Sequence, residues 1–130
     1  MNTLTPMSCN NKPAFGMAFQ KPGKEVMQHF REVMNDLKPE GRQTFVSEMG
    51  KIVKSNESCP VPIEQFMTKA YSPSYAVRVN GKVFQNADNN ITARANNILN
   101  IMKTAAKEAE DRANVDANMQ DIQKIFNMNA

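Results

Sequence analysis

Tyr75-Ala-Val-Arg-Val-Asn-Gly-Lys-Val-Phe-Gln85 is two short β-prone runs joined by Asn80-Gly81. A two-residue type I′ turn needs φ > 0 at both central positions, which Asn and Gly reach at little steric cost, so the stretch predicts a β-hairpin. Its register follows: Val79 faces Lys82, Val77 faces Phe84 and Tyr75 faces Asn86. Side-chain alternation then gathers Tyr75, Val77, Val79 and Phe84 on one face. That face needs cover, which favours a small α+β domain over a plain helix bundle.

Upstream, the sequence offers helices to cover it. Val26, Met27, Phe30, Val33, Met34 and Leu37 recur at helical spacing between Gly23 and Leu37 and draw an apolar stripe. Lys38-Pro39 ends that helix, because a residue before proline is pushed out of the α region. Pro39 then suits the first turn of a second helix with Phe45, Val46, Met49, Ile52 and Val53 inside, packed antiparallel to the first. After the loop 55–60, Pro62 with Ile63, Phe66, Met67 and Ala70 reads as a short third helix, closed by Ser72-Pro73.

A lone hairpin is only marginally stable, so a third strand is expected. The segment 14–19, Ala-Phe-Gly-Met-Ala-Phe, alternates small and bulky residues between Pro13 and Pro22 and is the candidate to pair with the hairpin. The competing reading is a linear motif, since Gly16 weakens a strand. This Phe-Gly leader resembles those opening many small bacterial proteins, a resemblance of about ten residues that implies no activity. Residues 1–13 read as a disordered tail and 14–114 as one α+β domain.

Downstream, Asp88 is the favoured cap of a long helix in which Ile91, Ala95, Ile98, Met102, Ala105 and Ala109 mark the packed side. Beyond Ala109 a second stripe begins with Val115, Met119, Ile122 and Phe126, its mean direction about a third of a turn away. Either the helix breaks between Asn114 and Asp116 and residues 115–130 fold back on the domain, or it continues and buries the stripe against another chain. Exposed stripes of this kind are seldom tolerated, so these four residues are the candidate partner-binding site, for a protein partner or for self-association.

The remaining chemistry is sparse. The 130 residues hold 16 Lys and Arg against 13 Asp and Glu, a net charge of +3. The signs are interleaved, with only a mild basic excess near the N-terminus at Lys12, Lys21, Lys24, Arg31, Lys38 and Arg42. Nucleic-acid binding needs clustered cations, so a weakly basic nucleic-acid-associated protein is only the alternative reading. Cys9, Cys59 and His29 fall short of a four-ligand zinc set, and His29 has no nucleophile with a recognisable signature beside it. The glycines at 16, 23, 41, 50 and 81 are too dispersed for a phosphate loop. No metal site, cofactor, catalytic residue or membrane span is expected. A polar start without an apolar run argues against a cleaved secretory signal and for a cytoplasmic protein, although uncleaved export is compatible with the same composition. The expectation is a non-enzymatic protein–protein interaction module.

Overall fold

In a computed structural model of the chain, the described residues are 18–69, 72–85 and 93–128. The fold is α+β and mainly helical: α1 (Lys24–Asp36), α2 (Pro39–Ser55), β1 (Ile63–Met67), β2 (Tyr75–Val79), β3 (Lys82–Gln85) and α3 (Arg94–Ile125). The strands form one antiparallel sheet in the order β1-β2-β3.

The hairpin has the expected turn and register. Asn80 and Gly81 have φ of 53° and 80°, and Val79 pairs with Lys82 and Val77 with Phe84. Tyr75, Val77 and Val79 are buried, and Phe84 packs half-buried against the same core. The expected pairing partner of Tyr75, Asn86, lies outside the described residues, as do Asp88 and Ile91.

Segment 63–67 is a strand, not the short helix expected from Ile63, Phe66 and Met67. Five residues between Pro62 and Thr68 are too few for periodicity to separate the two conformations, so the neighbour decides. The open edge of β2 takes Ile63 opposite Val79 and Met67 opposite Tyr75. Cross-strand contacts then favour the pairing: the Tyr75 hydroxyl donates to Gln65 Oε1 at 2.8 Å, and Arg78 donates to Glu64 at 2.8 Å while lying 4.7 Å from the Phe66 ring centre. The third strand of the sheet is therefore β1, and residues 14–17 of the segment expected in that role lie outside the described residues. Of that segment only Ala18 and Phe19 are described. Phe19 makes a single parallel bridge to Ile63, through Ile63 N–H to Ala18 O at 2.7 Å and Gln20 N–H to Ile63 O at 2.9 Å, so it extends β1 on the side away from the hairpin. Residues 1–17 lie outside the described set.

Helices α1 and α2 follow their sequence signals, with Lys38 extended at ψ 162° ahead of Pro39 at the start of α2. Arg42 Nε donates to Met34 O at 2.9 Å, satisfying one of the carbonyls that a helix C-terminus leaves unpaired. Phe30 joins both helices to the sheet: its ring meets Phe45 edge-on at 6.3 Å and Tyr75 at 5.6 Å. Val26, Val33, Phe45 and Ile52 are buried, whereas Met27 and Val46, expected inside, are exposed. Each sits at the margin of its stripe, beyond the reach of the small sheet.

Asn56, directly after α2, is the one buried polar side chain among the described residues, at 1% exposure. Its Nδ2 donates to Ala106 O at 3.4 Å, and its backbone carbonyl accepts from Cys59 N–H at 3.1 Å and Ala18 N–H at 3.4 Å. One residue thus ties α2, the loop to β1, the chain entering β1's flank, and α3.

Two substitutions test this frame. No atom would crowd a Cβ at Gly81, but its φ of +80° remains, so Gly81→Val costs more than about 1 kcal/mol through backbone strain alone. A denaturation midpoint equal to wild type would remove the turn. Asn56→Asp sets a carboxylate against the Ala106 carbonyl and costs at least about 2 kcal/mol, more than Asn56→Ala. The gap between the two variants narrows in acid, where the protonated carboxyl can again donate, and chemical denaturation at pH 7 and pH 4 measures it.

Candidate functional site

Helix α3 has two unlike halves. Ile98, Leu99, Ile101, Met102, Ala105, Ala106 and Ala109 are all buried, and the small residues among them allow close approach to the sheet and to α2. From Glu110 through Met128 no residue is buried. The helix passes through Asn114 without a break, so the expected turn and fold-back of residues 115–130 do not occur across the described part of that segment. Helix 110–125 stands clear over about 24 Å.

All four sequence-identified site residues lie on this free half: Val115 at 45% exposure, Met119 at 47%, Ile122 at 44% and Phe126 at 67%. Ile125 and Met128, which the sequence reading did not include, are also exposed. Ile125 flanks the stripe, and the 115-119-122-126 spacing gave no reason to include it. The helix end is fully built. Asn127 takes φ 57°, Asn127 N–H bonds to Lys124 O at 3.1 Å and Met128 N–H to Gln123 O at 2.9 Å, which is the Schellman arrangement that satisfies terminal carbonyls. Arg112 and Asp116, four residues apart, form an ion pair at 3.2 Å. The free half is therefore a capped helix with an apolar stripe that nothing among the described residues covers.

A second concavity, about 1000 Å³ and open to solvent, lies at the opposite end of the sheet between α1 and the start of α3, with His29, Glu32, Thr68 and Arg94 in its lining. Burial first, and then the Arg94 charge, hold the His29 pKa below its ordinary value, with Glu32 opposing. A neutral imidazole sharing a lining with a carboxylate and a guanidinium has the elements of proton transfer, and the Thr68 and Ser72 hydroxyls line the same space. Among the described residues no group of three or more His, Cys, Asp or Glu could hold a metal ion, and no helix is long and apolar enough to cross a membrane.

The cations that could contact phosphates are partly engaged. Arg78 pairs with Glu64 at 2.8 Å and Lys82 with Glu108 at 3.2 Å, and Lys24 and Arg31 share α1 with Glu25 and Glu32. These pairs are exposed and individually weak, yet they break up the positive field that nucleic-acid binding relies on. Comparisons with protein-family models, with curated proteins and with solved structures each find no match.

Because the pKa of His29 is lower in the folded chain, the unfolded chain binds the proton more readily. Stability is then full above pH 6.5 and falls as the pH drops from 6.5 through the folded-state value. Thermal melting at pH 7.5 and 5.5 shows this loss, and His29→Gln reduces it.

Proposed function

We propose that the protein is a small non-enzymatic protein–protein interaction module whose binding face is the α3 stripe Val115, Met119, Ile122 and Phe126. The exposure of that stripe on a capped helix standing clear of the core carries the reading. Exposed apolar surface costs solubility unless it is covered by a partner, and an amphipathic helix presenting residues at 4-3-4 spacing is a common form for one side of a helix-mediated contact. Its setting in this reading is the reducing cytoplasm, which suits a chain whose only cysteines are Cys9 and Cys59.

A photo-crosslinking amino acid at position 119 tests the reading in cells that express the full chain. Position 119 gives a protein adduct, whereas the same group at Lys51, on the exposed side of α2, gives none. The double variant Met119→Glu, Ile122→Glu keeps the wild-type melting temperature within about 2 °C, because neither side chain contacts the core, and it abolishes the adduct from a crosslinker at Val115. No adduct from either position 115 or 119 of the wild-type sequence would sink the proposal.

A further inference from the structure

We infer that the occupant of the stripe is a second copy of this chain, paired with it as an antiparallel two-stranded coiled coil over residues 112–128; the inference rests on the reading of the stripe as a binding face. The first support is a spacing that runs through both halves of α3. Ile98, Ile101, Ala105, Glu108, Arg112, Val115, Met119, Ile122 and Phe126 follow one another at alternating steps of three and four residues, the a/d seam of a heptad repeat. A seam with a 3.5-residue period drifts by about 20° per heptad on a straight α-helix. The roughly three heptads between the centres of the packed and exposed stripes therefore account for about 60° of the third of a turn between them. The seam's first members, Ile98, Ile101 and Ala105, are buried in the domain. Met102 and Ala109, also buried, lie beside this seam on the domain side. At Glu108 the domain's cover ends with the Lys82 ion pair, and from Arg112 onward the seam is open.

The second support is self-complementarity. With the twofold axis between Met119 and Ile122, Val115 faces Phe126 of the second copy and Met119 faces Ile122 of the second copy. The outer layers then set the small Val115 against the large Phe126, and the inner layers set Met119 against Ile122 of similar size, in the isologous manner of a twofold dimer. Parallel pairing would instead stack Phe126 on Phe126 and Val115 on Val115.

The third support is charge. On this seam Asp111, Asn118 and Ile125 flank one side, and Asp116 and Gln123 the other. Parallel strands bring the two flanks together five residues apart, which sets Asp111 against Asp116 of the second copy twice. Antiparallel strands bring like flanks together, so Asp116 meets Gln123 and Asn118 meets Ile125, with no like-charge contact. Antiparallel pairing also covers Ile125 and places the two domains at opposite ends. The second copy's helix then stops level with Asp116 and its cap level with Ala113, short of the Lys82–Glu108 pair. Two copies of the six exposed apolar residues from Val115 to Met128 bury about 1,000 Å², at the lower edge of specific interfaces. The dimer should therefore be reversible at micromolar concentration.

Sedimentation of the full chain across a concentration series, in wild type and in Gln123→Lys and Gln123→Glu variants, is the test. Position 123 has no charged neighbour three or four residues away on its own helix, so neither variant makes a new pair within one chain. The helix dipole favours Lys over Glu in this last turn of α3, and the helicity of each variant at a concentration where it is monomeric measures that contribution separately. The inference expects a wild-type monomer–dimer equilibrium, tightened by Gln123→Lys, which gains two ion pairs with Asp116, and weakened by Gln123→Glu. The two dissociation constants should differ about tenfold or more at low salt, and the difference should shrink at high salt. A dimer that responds equally to both variants overturns the antiparallel register. A wild type that stays monomeric at 200 μM, roughly a hundredfold above a micromolar dissociation constant, overturns self-pairing. If that monomer still gives a crosslink from position 119 to a different protein, only this inference fails. If it gives none, the interaction reading fails with it.

Discussion

The left-handed pair Asn80 and Gly81 is the constraint from which the rest of the fold is inherited. A two-residue turn leaves one register for its strands, so Val77 and Val79 share a face with Phe84 and not with Val83. A slip by one residue would turn that face to solvent. With the register fixed, β2 presents a buried row that both β1 and the first half of α3 must meet. Phe30 then carries the packing onward to α1 and α2. The domain body is thus built around β2, and its reach ends where the hairpin ends, at Lys82 over Glu108.

Much of this was legible in the chain. The hairpin, α1, α2 and the long C-terminal helix each carry local signals that agree with their tertiary roles: a turn dipeptide, an apolar stripe, and a proline at a helix start. The third strand was not legible, because Ile63-Glu-Gln-Phe-Met67 is apolar at 63, 66 and 67, a spacing that suits a helix and breaks the alternation of a strand. Only the open edge of β2 decides between them. Segment 14–19 was read as pairing with the hairpin, whereas Phe19 bridges Ile63 of β1, since alternation within a segment says nothing about which neighbour it meets. Asn56 gave no signal at all. An Asn after a helix usually belongs to the surface, and its burial depends on α3 passing within reach of its amide.

The positions of the two stripes on α3 were legible, and the continuity of the helix between them was not. A stripe a third of a turn from its predecessor suggests a helix that must break or change partners, yet α3 runs through both without a break. The polar residues Glu108 and Arg112 lie between the stripes, and each is already occupied along the helix or across to the hairpin, by Lys82 and by Asp116. This interruption is what hid the continuity, because two charged residues in succession on a seam read as the end of an apolar face.

The division of α3 also separates two energetic quantities that a small protein usually confounds. Buried residues end at Ala109, so changes in the free half act on a segment that contributes few contacts to the body, while changes at Ile98, Met102 or Ala105 act on the body directly. The free half is a weak helix by itself, with Asn114, Val115, Asp116 and Asn118 among its residues, and helices of its length are marginal without packing. Its continuity with the anchored half supplies the nucleus, and its Schellman cap closes the far end. Anchored at one end and capped at the other, the free half presents its apolar stripe as a defined helical face.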